Sequence, residues 1–333
     1  MVRPMSSFRL GVAGLIHGHV GSLLQQADQV EGLTTPAVAD DTPLLDHYRS
    51  RFERTYPAWP ALLDGETLDG LLVTSDNAES SRIAVEALGR GIPCFVEKPM
   101  AARAADAQAM KQAAEASGTP LFINWPMAWT AWFEPFTQQI QAEEFGPVFH
   151  LRYRNGHHGP REIGCDPYFV GWLYDEERNG GGALADFGGY GAALAAYLFG
   201  LPDSVTAVRH NATKDYDVPD DHALILLRYP KRTVLIEGTW ATFGFESGPN
   251  PVAYGSRGTL GSLGGQLEFS RAGKDRELTD LAPSGKNPLQ VFVDVVLGQA
   301  SLPAIVSPEV GLDACRIIDA ARLSSDSGRA EAP

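Results

Sequence analysis

The residues best equipped for chemistry are Glu97 and Lys98, in the run Glu97-Lys98-Pro99-Met100 that closes the apolar stretch Ile92-Pro93-Cys94-Phe95-Val96. In an open parallel sheet, ligands sit outside the carboxyl ends of the strands, so an amine placed there faces a crevice. The proline stops the ladder and fixes the local backbone, which holds the lysine in one place. A neighbouring glutamate lowers the cost of desolvating the cation. An exposed ion pair at a strand end is the plainer reading of the same residues. Order along the chain favours a site, because a strand, a glycine turn and a helix start precede it.

Those preceding elements alternate. Phe8-Arg9-Leu10-Gly11-Val12-Ala13 reads as a buried strand closed by Gly14, with a helix over 19–29. A second strand over 35–40 ends in Asp40. An acid at this spacing from the glycine turn accepts hydrogen bonds from an adenosine ribose and repels a 2′-phosphate. That predicts NAD as cofactor, with NADP as the second option. A third strand, Leu71-Leu72-Val73-Thr74, leads into Ser75-Asp76-Asn77 and a helix over 78–90. The lysine-bearing strand follows, then a helix over 102–116 and the strand Leu121-Phe122-Ile123-Asn124. Alternation of this kind predicts a doubly wound parallel sheet.

Candidate cofactor contacts at its strand ends are Gly14, Ile16, His17, Asp40, Ser75, Asp76, Asn77, Glu97, Lys98 and Asn124. The turn Gly14-Leu15-Ile16-His17-Gly18-His19 departs from G-x-G-x-x-G, with Ile16 at the second glycine position and His19 at the third. Helix N-terminal amides still attract phosphate, and the His17 imidazole adds a donor. Loss of tight dinucleotide affinity is the competing expectation.

Composition bounds the partners. The chain has 333 residues, 44% hydrophobic and 20% charged, with formal net charge -14. That length accommodates roughly two domains, and the acidity argues against nucleic acid or an anionic membrane. Cys94, Cys165 and Cys315 stand far apart in no metal-ligand spacing, which suits a reducing cytoplasm. Residues 1–7 carry no apolar core of a signal peptide, and no run reaches membrane-spanning length.

From residue 126 the pattern changes, which sets the domains at 1–125 and 126–333. Strands are expected over 145–154, 204–210, 221–229, 233–243 and 251–254, with helices over 187–199, 288–297 and 308–323, and a fraying tail after Ser324. Strand groups with helices gathered to one side predict an α+β domain with a mainly antiparallel open sheet. Val234, Ile236, Trp240 and Phe243 are read as an apolar outer face, with the inward face as the alternative, and a homo-oligomer through this sheet is expected.

Along nearly its whole length the chain resembles the Gfo/Idh/MocA oxidoreductase family. The resemblance rests on the glycine turn, Glu97-Lys98-Pro99, Gly180-Gly181-Gly182-Ala183-Leu184-Ala185-Asp186, Tyr254-Gly255-Ser256-Arg257-Gly258-Thr259-Leu260, and the segment from Pro308-Glu309-Val310-Gly311 to Ser327-Gly328, in family order. It implies a Rossmann-type first domain and a nicotinamide-dependent enzyme acting on sugars, polyols or related hydroxyl and carbonyl compounds. It also implies that Lys98 lies beside the reacting carbon and that Asp186 opens an Asp-x-x-x-His segment. Here Tyr190 stands at the histidine position and Ala193 at a frequent aspartate.

Tyr190 then becomes the candidate acid/base with Lys98 as its electrostatic partner, or Lys98 is itself the acid in carbonyl reduction. The unperturbed tyrosine pKa of about 10 exceeds that of histidine by more than three units, and a nearby Lys98 cation lowers it. Packing beneath the site floor is the alternative for Tyr190, and a helix N-cap for Asp186. His157 and His158 are candidate substrate contacts with Lys98, Asp186 and Tyr190. Adjacent residues on extended backbone point opposite ways, so no metal site is expected there. Trp125, Trp129 and Trp132 suit interdomain packing or an aromatic platform. Two further functions share these residues: redox-neutral glycoside cleavage, and a non-catalytic cofactor sensor or scaffold.

Overall fold

The computed structural model describes residues 7–244 and 248–333; the leader, read above as no signal peptide, lies outside them apart from Ser7. Seven short strands build the first sheet: β1 (Phe8–Ala13), β2 (Leu33–Thr34), β3 (Ala37–Ala39), β4 (Arg54–Tyr56), β5 (Gly70–Val73), β6 (Cys94–Glu97) and β7 (Leu121–Asn124). Their order is β4-β3-β1-β5-β6-β7, with β2 beside β1 and every pair parallel. The chain winds outward from β1 in one direction to β4 and then in the other from β5 to β7. A crevice opens where the direction reverses. Strands β3, β5, β6 and β7 are buried throughout, which is why they read as unbroken apolar runs. The strand expected over 35–40 is shorter and split from β2, because Pro36 has no N–H for the ladder.

Eight strands form the second sheet: β8 (Val148–Gly156), β9 (Ser204–His210), β10 (His222–Arg228), β11 (Thr233–Thr239), β12 (Val252–Gly255), β13 (Gly258–Leu263), β14 (Gln266–Arg271) and β15 (Glu277–Asp280). They run in the order β15-β14-β13-β12-β8-β11-β10-β9, antiparallel except for β8 with β11. The last three strands escaped sequence reading. Glycines at 258, 261, 264 and 265 dilute their alternation, and the Gly264-Gly265 turn supplies two positive φ angles for the hairpin. Helices Phe133–Gln141 and Pro167–Leu173 were also not anticipated.

Three expectations are corrected here. Val234, Ile236 and Trp240 are fully buried, so they face the helices and not an outer surface. Phe243 is exposed but lies beyond the end of β11. The outer face instead carries Val208, Leu224 and Leu226, aligned by the registers Leu224↔Val208 and Leu226↔Leu235. Asp186 does not open a helix: it ends the short helix Ala183–Asp186, and Gly188–Phe199 follows after Phe187. The tail does not fray at 324. Helix Pro308–Ser327 continues to a left-handed Gly328 cap, as glycine permits. Glu331 then exchanges two backbone hydrogen bonds with Val205, at 2.8 and 2.9 Å.

Candidate active site

Lys98 leaves the end of β6 and meets Asp186 across the two halves of the molecule. Its Nζ donates to Asp186 Oδ1 at 2.6 Å, and both side chains are almost fully buried. The second Asp186 oxygen accepts from the Trp240 indole N–H at 3.0 Å. Lys98 Nζ also lies 4.8 Å from the Tyr190 ring centroid, over its face. Burial opposes the ammonium, but Asp186 and then Tyr190 outweigh it and hold Lys98 above the ordinary lysine range. Burial equally opposes the Asp186 carboxylate, and Lys98 with Trp240 brings it below its usual value. Lys98 is therefore a charged donor at neutral pH.

Tyr190 is the surprise. Burial pushes its phenol up to about 12, with Lys98 pulling only part of the way back. The expectation that Lys98 would acidify it is overturned, because loss of water costs a buried phenolate more than one cation over the ring returns. Tyr190 is thus a neutral hydroxyl suited to donate a hydrogen bond. Trp125 packs its ring against it, with centroids 5.9 Å apart.

Glu97 does not partner the Lys98 amine. Its carboxylate accepts from Asn124 Nδ2 at 2.6 Å and lies 3.0 Å from His19 Nδ1. Burial alone would raise Glu97, but His19, His17 and Asn124 bring it down to about 2. Asn124 in turn accepts from Trp129 Nε1 at 2.8 Å. His19 and Trp240 were missed as site residues. The histidine was legible only as a departure from the glycine fingerprint, and nothing in the sequence marks the tryptophan. His17, His19 and Glu97 have ligand atoms within 4.8 Å of one another. His17 Nδ1 accepts the His19 backbone N–H at 3.2 Å, and His19 Nδ1–H donates to Glu97 Oε2 at 3.0 Å.

Beside this group, a cleft of about 460 Å³ is lined by Gly14, Ile16, Asp40, Ser75 and Asp76, with Asp41, Glu79 and Arg178 among others. Gly14 has φ +86, and a Cβ there would stand 2.7 Å from Ser75 N, so only glycine lets the turn cross β5 this closely. Asp40 Oδ2 accepts the Leu15 N–H at 2.7 Å, and Oδ1 accepts the Thr42 N–H at 2.7 Å. The acid therefore stiffens the turn as well as facing the cleft. Asn77 turns away from the cleft and donates to Asn179 Oδ1 at 2.8 Å. His17 is packed under Phe169 and Trp172, with centroids 5.5 and 5.7 Å away, and burial lowers it to about 3. The structure places it in packing, outside the cleft lining. The close turn, the cleft volume and an acid at the ribose end fit a dinucleotide.

The paired histidines diverge as alternation requires. His157 packs edge-on against Phe187, and Asp186 lies close enough to act on its charge, whereas His158 stacks on Phe243. Among the described residues the structure thus brings Lys98, Asp186 and Tyr190 together with His157 nearby, and sets Gly14, Ile16, Asp40, Ser75 and Asp76 around the cleft.

A doubly wound sheet with this cleft, joined to a part of the chain built on a large open sheet whose helix Ala183–Asp186 supplies Asp186, has the architecture of a nucleotide-binding protein with a second, substrate-sized half. Residues 10–125 match the model of the oxidoreductase family with an NAD-binding Rossmann fold, and residues 134–261 match the GFO/IDH/MocA C-terminal domain. The chain belongs to the Gfo/Idh/MocA family, and residues 10–125 are its NAD-binding Rossmann domain. Solved structures agree in fold over both halves. The WlbA dehydrogenase of Chromobacterium violaceum, in complex with NADH and UDP-GlcNAcA, is 19% identical with TM-score 0.84, covering 98% of this chain and 96% of that one. The aldose-aldose oxidoreductase of Caulobacter crescentus, complexed with glycerol, is 21% identical with TM-score 0.80, covering 98% and 100%. An oxidoreductase of Agrobacterium radiobacter, in complex with NAD+, L-tartaric acid and magnesium, is 18% identical with TM-score 0.79, covering 98% of each.

Proposed function

We propose that this protein is an NAD-dependent oxidoreductase acting on a hydroxyl or carbonyl group of a sugar, polyol or related small molecule. The observation that carries the reading is the buried Lys98–Asp186 pair at 2.6 Å. A bound nicotinamide supplies or accepts the hydride. Lys98, paired with Asp186, donates a proton to the substrate oxygen in reduction; in oxidation the same proton passes from the substrate hydroxyl to the neutral Lys98 amine, which releases it to solvent between turnovers. Trp240 fixes the Asp186 rotamer, and Tyr190 donates a hydrogen bond to the same oxygen. We assign His157, packed on Phe187 next to Asp186, as a further contact for substrate hydroxyls. We assign cofactor binding to residues 1–125, and substrate binding with self-association to 126–333. A cytoplasmic setting is consistent with three free cysteines. No helix among the described residues is long and apolar enough to cross a membrane.

Cofactor titration followed by a panel of sugars and polyols, read as absorbance of reduced nicotinamide, tests the reading. Turnover without net cofactor reduction would replace it by redox-neutral glycoside cleavage. Cofactor binding with no turnover on any substrate would replace it by a sensing role.

Two outcomes are expected alongside. Wild-type protein should bind NAD+ at least about 10-fold more tightly than NADP+, because Asp40, Asp41 and Glu79 line the cleft and like charges repel a 2′-phosphate. Asp40→Asn, which keeps an acceptor for the turn, should narrow that gap. Equal dissociation constants in the wild type would remove the basis for the preference. In light scattering at micromolar concentration, the protein should be an oligomer. Val208, Leu224 and Leu226 lie on one outer face, and an apolar sheet face seeks cover. A monomer would count against self-association through the sheet.

A further inference from the structure

The glycine turn of this chain has spent much of its anion-binding capacity on itself. Gly14 N–H donates to Ala39 O, Leu15 N–H to Asp40, His17 N–H to Thr74 O and His19 N–H to His17 Nδ1. Ile16 replaces the glycine that elsewhere lets backbone approach a pyrophosphate, and His17 is neutral and packed away. The cleft lining carries the carboxylates Asp40, Asp41, Asp76 and Glu79. A dinucleotide brings two further negative charges at its pyrophosphate, so the cleft needs a cation.

Among the described residues that line it, that cation is Arg178 alone. Arg178 comes from the second half of the chain, on the segment that crosses the glycine turn. Phe169 and Trp172 of that segment pack on His17, and the Trp172 indole donates to Ile16 O at 3.2 Å. Arg178 Nε and Nη2 both donate to Asp76 Oδ2, at 3.0 and 2.8 Å, while Asp76 Oδ1 caps the helix Asn77–Gly89 through Glu79 N at 2.8 Å. These bonds use two of the five N–H groups of a guanidinium. The side chain remains 44% exposed at the cleft. It is therefore anchored without being consumed.

We propose that Arg178 supplies the positive charge for the cofactor pyrophosphate, from the second half of the molecule, in place of the altered glycine cradle. The proposal rests on the NAD-binding reading of the first half. It makes dinucleotide affinity depend on the seating of 166–182 over the turn. Arginine suits the role because its fork can hold Asp76 on one edge and a phosphate on the other.

The test is calorimetric titration of the full chain, wild type against Arg178→Met and Arg178→Lys, with NAD+, ADP and adenosine. Loss of a charge-assisted phosphate contact should weaken NAD+ and ADP by about 10- to 100-fold in Arg178→Met. Adenosine, which has no phosphate, should change by less than about two-fold. Arg178→Lys should fall between, since it keeps charge but loses the fork. Unchanged NAD+ affinity in Arg178→Met overturns the proposal. So does an equal loss for all three ligands, which would make Arg178 only a brace between the two halves. A wild-type chain that binds none of the three overturns the cofactor reading itself and Arg178 with it, a pattern distinct from the other two.

Discussion

Replacing Lys98 by alanine is expected to lower turnover by about 100-fold or more, the scale of a lost general acid. The amine ends β6 and touches Asp186 at 2.6 Å, where a substrate oxygen would need its proton. As a residue at a strand end, Lys98 reads as nearly dispensable for folding. The structure changes that part of the expectation. Asp186 is 6% exposed, and without Lys98 its charge would keep only the Trp240 indole. Removing one member of a buried pair costs about 3–5 kcal/mol, so Lys98→Ala should also melt at a lower temperature. The double variant Lys98→Met with Asp186→Asn removes both charges together. It should recover most of the melting temperature and stay inactive. If either variant, folded, turns over like the wild type, the proton passes through another group.

Tyr190→Phe deletes one hydroxyl and keeps the ring that faces Lys98 and Trp125. A fall of about two orders of magnitude in turnover, with NAD+ affinity kept, is the expected result for a lost hydrogen-bond donor to the reacting oxygen. Because burial pushes the phenol up to about 12, its deprotonation should leave no limb in the wild-type pH–rate profile near neutrality. Tyr190→His should retain partial activity and move the pH optimum toward neutrality, since imidazole titrates there. If Tyr190→Phe matches the wild type, the tyrosine is packing and Lys98 carries the chemistry without it.

How far the site was legible follows from the range of the forces involved. Buried parallel strands must be apolar on both faces, so β1, β5, β6 and β7 could be read from short runs, and so could Gly14, Asp40 and Lys98 at or just beyond strand ends. The same logic failed for β13 to β15, where glycines and charges on an exposed edge erase the period. It also misassigned the face of β11, because alternation reports that one face is buried without saying which.

Lys98 and Asp186 were each nameable from motif order, and the sequence alone determined the family, the parallel sheet and the residue types brought together at the candidate site. Only tertiary structure decided their partners. Glu97 beside Lys98 in the chain turned to Asn124 and His19, and Trp240 crossed from the end of β11 to Asp186. Burial also reversed the sense of the Tyr190 shift. Periodicity is written in neighbouring residues, whereas hydrogen-bond choice and desolvation depend on groups that folding brings together from distant parts of the chain.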